Sequence, residues 1–222
     1  MNSLQPMQGV DAELLRKWDR EQALKAQETV VEYPVNYPIN WQYLYKAQEY
    51  YLDRGYALIE VPWLVDQQAI ESTAPAGSHQ FKTAEGSLIA SGEQGLFAIR
   101  KRLKPGKYQT ITPCFRKEVS GDPLLQQHFM KLELMYVPDG KENSVLPLAN
   151  MLQEAKFCFE KLKSGLYMMQ DTDQGVDIMH KGVEIGSYGV RKVDGFRWIY
   201  GTGLAEPRFS MALLGKYAPK GS

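Results

Sequence analysis

The sequence predicts an α+β domain in which helices flank an antiparallel sheet of about six strands. Residues 108–114 and 129–137 are rich in β-branched, aromatic or alternating apolar residues, and a polar segment separates them. Such a pair is typical of a long β-hairpin. Residues 144–162 repeat apolar side chains at helical spacing, as do residues 40–55. Strand and helix patterns therefore alternate along the chain. No segment of roughly 20–50 residues is repeated, as it would be in a solenoid.

Composition excludes several classes of protein. The 222 residues are 44% hydrophobic and 23% charged, which is an ordinary globular mixture and argues against disorder. Lys+Arg and Asp+Glu both number 26, so the net charge is zero and any phosphate or nucleic-acid site must be local. Cys114 and Cys158 form no CxxC pair, so no structural metal is predicted. No apolar run approaches the roughly 20 residues of a membrane span, and no leader precedes residue 11, so we expect a cytoplasmic protein without a membrane partner.

The first 32 residues are expected to form a helical extension, followed by the core domain at 33–222. Residues 11–29 are strong helix formers with few apolar positions, which indicates a mostly solvated helix. Pro34 and Pro38 then interrupt the helical pattern, because proline lacks an N–H and restricts the residue before it.

The core begins with a helix and a strand. Asn40 is a plausible N-cap, and Gly55 suits a left-handed helix end. Residues 56–61 then predict a strand that Pro62 closes. The residues expected on the apolar helix face are Trp41, Leu44, Tyr45, Tyr51 and Leu52.

Further strands are predicted at 182–185 and 196–200, and a last helix at about 206–214. Between them, residues 201–208 predict a glycine-rich turn that opens the helix, with Arg208 in its first turn. Paired glycines allow a backbone to approach a ligand, and helix N-termini favour phosphate, but such a turn also serves packing.

Three groups of polar residues are candidates for chemistry. Arg116 and Glu118 share one face of the hairpin with Phe129, Lys131 and Glu133, which is either a ligand site or a solvated sheet face. Glu184 and Ser187 supply hard oxygen ligands of the kind that Mg²⁺ accepts, although an exposed turn is the alternative. The basic run 100–107 suits a charged helix end as well as a polyphosphate or RNA contact.

Three ordered segments resemble the three motifs of class II aminoacyl-tRNA synthetase catalytic domains. The wording is most similar to that of seryl-tRNA synthetases, and Ser91-Gly92-Glu93 resembles the Thr-x-Glu type of loop found there. The three segments are residues 41–62 for motif 1, residues 112–118 with 129–133 for motif 2, and residues 201–208 for motif 3.

This resemblance implies a sheet face that binds ATP. Arg116 would contact the α-phosphate, Phe129 would stack on adenine, and Arg208 would cover the other face of the ring and reach the γ-phosphate. Glu184 and Ser187 would hold Mg²⁺. The resemblance implies that Arg116, Glu118 and Arg208 are catalytic residues. It also implies roles in ATP binding for Glu118, His128 and Gly203, and in amino-acid binding for Glu93, Lys131, Glu133 and Gly201.

The implied function is ATP- and Mg²⁺-dependent amino-acid activation, with transfer of the aminoacyl group to tRNA, a carrier, a protein or a small nucleophile. Residues 41–62 would form a homodimer interface. The loop 119–127 has no lysine or arginine, and no anticodon-binding domain is recognised, so we expect a stand-alone catalytic core. The alternative is a non-catalytic accessory or regulatory subunit that keeps the synthetase fold.

Overall fold

The computed structural model describes residues 38–74, 80–117, 124–140, 143–163, 165, 167–173 and 175–215. The expected extension at 1–32 and its helix lie outside the described residues, as does Glu118. Within the described part of the chain, no helix is both long and apolar enough to cross a membrane.

The described helices and strands alternate along the chain. The helices are α1 Trp41–Leu52, α2 Gln67–Glu71, α3 Gly92–Ala98, α4 Val145–Leu162 and α5 Arg208–Leu214. The strands are β1 Ala57–Leu58, β2 Leu64–Val65, β3 Ser87–Leu88, β4 Gly106–Phe115, β5 His128–Val137, β6 Met168–Thr172, β7 Gly175–His180, β8 Val183–Val193 and β9 Phe196–Glu206.

A seven-stranded sheet with the order β1-β4-β5-β9-β8-β7-β6 forms the centre of the fold. Every neighbouring pair is antiparallel except β1 with β4. The predicted α+β class is therefore confirmed, with one more strand than expected. β2 and β3 form a separate antiparallel pair.

The predicted hairpin is confirmed in β4 and β5, where Thr112 lies opposite Lys131 and Cys114 opposite Phe129. The predicted turn after Tyr200 is wrong, because β9 continues to Glu206 and pairs with β5 as far as Met130. The helix after it begins at Arg208. The strand expected at 56–61 is reduced to β1, and β6 and β7 were not expected.

α1 begins as predicted, because Asn40 Oδ1 accepts hydrogen bonds from the N–H groups of Gln42 and Tyr43. Gly55 adopts a left-handed φ of +81°. The expected apolar face is wrong in part: the residues that α1 buries are Leu44, Ala47, Tyr50 and Tyr51.

Trp41, Tyr45 and Leu52 form a second stripe on α1, which we call the aromatic stripe. Its centre lies roughly 130° around the helix from the centre of the buried residues, given about 100° per residue. Trp41 and Tyr45 are 59% and 58% exposed, and Leu52 is 43% exposed. The α1 helix therefore has two apolar stripes, of which only one packs on the sheet.

Two hydrophobic clusters cover opposite faces of the sheet. On one face, residues of α1, α4 and α5 such as Tyr51 and Phe159 pack against Leu132 of β5. On the other face, Leu96 and Phe97 of α3 pack with Trp198 of β9. α3 and its neighbours cover only part of this second face, which leaves the remainder available to line a cavity.

Glu206, the last residue of β9, links the start of α1 to α5. Its carboxylate accepts hydrogen bonds from the Asn40 backbone N–H at 3.3 Å and from the Ser210 hydroxyl at 3.0 Å. Burial raises the pKa of Glu206 to about 7, although the two hydrogen bonds act in the opposite direction. A carboxyl whose pKa is raised on folding contributes most to stability at acid pH, and this contribution is lost as pH rises towards its folded pKa.

We therefore expect Glu206→Gln to remove part of the pH dependence of stability. As pH is raised from about 5 to about 8, the free energy of unfolding of the variant should increase relative to that of wild type by on the order of 2 kcal/mol. Urea titrations at both pH values measure this difference, with the exposed Glu60→Gln as control. The same difference at both pH values would contradict a raised pKa at Glu206.

Candidate active site

A cavity of about 620 Å³ occupies the sheet face that α3 leaves uncovered. Its walls come from β5, β8 and β9, from the starts of α3 and α5, and from the segments before β3 and β5. Eight residues singled out from the sequence line it, namely Glu93, Arg116, Phe129, Lys131, Glu133, Glu184, Ser187 and Arg208. The hairpin face is therefore a concave wall, and the alternative of a simply solvated face is wrong.

At one end, which we call the outer end, Arg116 lies beside Phe129. The guanidinium carbon is 5.0 Å from the centre of the Phe129 ring, within the range of a cation–π contact. Arg116 Nε donates to the Ala90 carbonyl at 3.3 Å, and this bond holds the side chain along the wall. An aromatic ring and a cation thus stand next to each other in the cavity wall.

Arg208 lies at the outer end too, as the first residue of α5. Its Nη1 donates to Glu184 Oε1 at 3.3 Å, and its Nη2 donates to the Leu124 carbonyl at 3.4 Å. The Glu184 side chain is 42% exposed, so this ion pair is partly solvated and its contribution to stability is small. A phosphate group can compete with Glu184 for Arg208 at little cost.

Glu184, Ser187 and Asp177 form a group of oxygen-bearing side chains, of which Asp177 was not singled out from the sequence. Asp177 lies opposite Ser187 in the β7–β8 pair. Its pKa is raised, first by burial and then by the Glu184 carboxylate, while a hydrogen bond with Ser187 and the charge of Arg208 act the other way. Two carboxylates and a hydroxyl suit Mg²⁺, which takes few protein ligands and completes its shell with water and phosphate.

Lys131 and Glu133 form a tight ion pair in the middle of the cavity. Lys131 Nζ lies 3.0 and 2.9 Å from the two carboxylate oxygens of Glu133. The Ser91 hydroxyl donates to Glu133 Oε2 at 2.6 Å. Glu133 is therefore fully partnered in this structure, and it holds Lys131 and Ser91 in fixed positions.

At the other end, the inner end, Glu93 is buried in the first turn of α3. Its Oε1 accepts a hydrogen bond from Trp198 Nε1 at 2.7 Å and lies 3.1 Å from Arg191 Nε. Burial raises the pKa of Glu93 to about 7; Glu133 acts in the same direction, and Arg191 and Trp198 oppose it. Arg191 was not singled out from the sequence, because the strand expected at 182–185 was too short to include it.

Gly201 and Gly203 do not line the cavity, and their expected roles in ligand binding stay predictions. A Cβ at Gly203 would lie 2.1 Å from Leu132 Cδ2, and one at Gly201 would lie 2.5 Å from Tyr188 Cδ1. Both glycines therefore allow β9 to pack on the hydrophobic cluster. His128, at the start of β5, is exposed and does not line the cavity either.

Comparisons with known proteins agree with this geometry at the level of the fold. No protein-family profile matches the chain, and no curated protein matches it. Two solved structures of pyrrolysyl-tRNA synthetase from Desulfitobacterium hafniense are similar to it, with TM-scores of 0.62 and 0.61 at 16% and 17% identity. They match 91% and 95% of this chain and 77% and 84% of their own.

The chain has the fold of a class II aminoacyl-tRNA synthetase catalytic domain. At this level of identity the likeness carries the architecture alone. The chemistry must therefore be argued from the cavity.

Proposed function

We propose that this protein activates an amino acid with ATP, forming an aminoacyl-adenylate and pyrophosphate. One observation carries the proposal: Arg116, Phe129 and Arg208 line the same cavity as the buried carboxylate Glu93. Cations and an aromatic ring suit a nucleoside triphosphate at the outer end. The ion pairs in the middle and at the inner end of the cavity suit an amino acid.

In the proposed reaction, the α-carboxylate of the amino acid attacks the α-phosphorus of ATP, and pyrophosphate leaves in line. No side chain acts as a nucleophile, so catalysis consists of positioning and neutralisation of charge. Arg116 would stabilise the charge that grows on the α-phosphate, and Arg208 would hold the departing phosphates. Phe129 would bind the adenine ring equally before and during the reaction.

Glu184, Ser187 and Asp177 would hold Mg²⁺, which, when bound, neutralises phosphate charge. The second half-reaction would pass the aminoacyl group to an acceptor, which is tRNA, a carrier, a protein or a small nucleophile. The seryl-like wording of the motifs supports the first half-reaction and does not select among these acceptors.

Amino-acid-dependent exchange of pyrophosphate into ATP tests the proposal. We expect exchange with one or a few of the twenty standard amino acids. If the chain binds no ATP and exchanges with no amino acid, the catalytic proposal is wrong and a non-catalytic accessory subunit takes its place.

The metal site makes a separate prediction. Glu184→Ala should raise the Mg²⁺ concentration needed for half-maximal exchange by about tenfold, because a hard cation loses one carboxylate ligand. Because Glu184→Ala also removes the ion pair with Arg208, a second variant is needed. Asp177→Asn leaves Arg208 and Glu184 in place and should also raise the Mg²⁺ requirement. An unchanged requirement in both variants would place the metal elsewhere.

We further propose a homodimer formed through the aromatic stripe of α1. Large exposed apolar side chains close together usually mark an interface, and Trp63 beyond β1 is 53% exposed as well. Light scattering at micromolar concentration should give a particle of twice the chain mass, and Trp41→Arg with Tyr45→Arg should give single chains. A wild-type particle with the mass of one chain would refute the dimer.

A further inference from the structure

Arg191 has hydrogen-bonding capacity that the described residues do not use. It lines the cavity, and its side chain is 25% exposed. The buried Nε lies close to Glu93 without the geometry of a hydrogen bond, and the guanidinium carbon lies 4.6 Å from the centre of the Tyr200 ring. Among the described residues, no hydrogen bond involves either terminal nitrogen of Arg191. An arginine has five N–H donors, so the terminal N–H groups of Arg191 can donate hydrogen bonds to a bound ligand.

The position of Arg191 indicates which part of a substrate supplies that acceptor. Ser187 and Arg191 lie four residues apart on the same face of β8, which separates them by about 13 Å along the strand. Phosphates bound at Arg116, Arg208 and Ser187 would therefore lie towards the outer end, away from the Arg191 guanidinium, although the Tyr200 side chain contacts both Ser187 and Arg191. If the proposed function is right, on which this inference rests, the inner end faces the side chain of the amino acid.

The charges at the inner end narrow the choice further. Glu93 balances Arg191, and Glu133 balances Lys131, so no excess charge selects a cation or an anion. The Arg191 guanidinium still presents N–H donors in one plane, and these match a planar oxygen acceptor such as a carboxylate or a carboxamide. An apolar substrate side chain would leave these donors desolvated and unpaired, which is unfavourable.

We propose that Arg191 is a specificity-determining residue that binds the side-chain carboxylate or carboxamide oxygen of the amino acid. The substrate is then aspartate, asparagine, glutamate or glutamine. Arg191 combines two tasks, since the same side chain neutralises the buried Glu93.

A carboxylate and a carboxamide differ in what they require of Glu93. A carboxamide can accept from Arg191 and donate its own N–H to the Glu93 carboxylate. A carboxylate beside Glu93 requires a proton on Glu93, whose pKa burial raises to about 7. Arg191 from β8, Trp198 from β9, and Lys131 and Glu133 from β5 face the same carboxyl group. Binding of an acidic side chain should therefore weaken as pH rises above about 7, by up to tenfold per pH unit, whereas binding of an amide should not.

Calorimetry on the full chain tests the inference without any need for turnover. The probes are the four amino acids above, with serine, leucine and lysine as comparison, and ATP measured separately. We expect one of the four to bind at least about 100-fold more tightly than the comparison set. Arg191→Gln should abolish this preference while ATP affinity stays within about twofold. Lys192→Gln, an exposed neighbour on β8, should change neither.

Arg191→Lys keeps the charge beside Glu93 but not the planar guanidinium group, and its affinity for the preferred amino acid should fall about tenfold. If Arg191→Gln fails to fold, as judged by near-ultraviolet circular dichroism, Arg191→Lys is the variant that tests the inference. Tight binding of one of the four without pyrophosphate exchange would uphold the inference and refute the proposed activation. Exchange supported best by serine, leucine or another amino acid without such an oxygen would overturn the inference and leave activation standing. Equal affinity in wild type and Arg191→Gln would overturn it as well.

Discussion

Arg116→Ala should slow amino-acid-dependent pyrophosphate exchange by about 100-fold or more while it weakens ATP binding far less. The reason is that charge on the α-phosphate grows during attack, so a cation placed there stabilises the transition state more than the ground state. An electrostatic contact of this kind contributes on the order of 3 kcal/mol to the barrier. The exchange rate at saturating substrate and the calorimetric Kd for ATP measure the two effects separately.

Two comparisons make the Arg116 result specific. Arg102→Ala removes an exposed arginine from the turn before β4 and should leave both quantities unchanged. Phe129→Ala should show the opposite pattern, with weaker ATP binding and a similar maximal rate, because stacking on adenine is the same before and during the reaction. If Arg116→Ala instead weakens binding and rate equally, Arg116 only anchors ATP.

The hairpin illustrates what the sequence predicts well. Because side chains alternate between the two faces of a strand, the sequence predicted that Phe129, Lys131 and Glu133 share one face of β5. The structure places all three in one cavity wall. A period of two is a local property of an extended chain, so it can be read without knowledge of the neighbouring strands. Asn40 as a helix cap is similarly local, because its acceptor and the two donors lie within three residues.

Predictions that depended on tertiary contacts were less successful. The residues of the aromatic stripe are as apolar as the buried stripe of α1, and sequence spacing does not say which stripe the sheet covers. Strand pairing places Asp177 opposite Ser187 and brings Arg191 to the cavity wall, and neither residue belongs to a recognisable motif. The segment after Tyr200 was interpreted as a turn because glycine is uncommon within strands, yet β9 needs glycine for close packing.

Gly203→Ala should destabilise the protein by roughly 3 kcal/mol or more, because the new methyl group has no space. It would lie 2.1 Å from Leu132 Cδ2, 3.1 Å from the Tyr51 ring and 3.2 Å from the Leu132 carbonyl oxygen. Leu132 and Tyr51 are both fully buried, so neither side chain can turn into solvent. Overpacking of a well-packed core costs about 1–3 kcal/mol and sometimes more. Urea unfolding monitored by circular dichroism measures the loss.

Gly55→Ala is the matched comparison, since no atom lies within 4 Å of its added methyl group and only its φ of +81° opposes the change. We expect that variant to lose only about 1 kcal/mol. Calorimetry then separates packing from ligand contact at Gly203. If the glycine exists for packing, Gly203→Ala should bind ATP with near-normal affinity at a low temperature at which it remains folded. If the variant is instead as stable as wild type but binds ATP at least tenfold more weakly, the backbone of β9 contacts the nucleotide, and the packing explanation of the paired glycines is wrong.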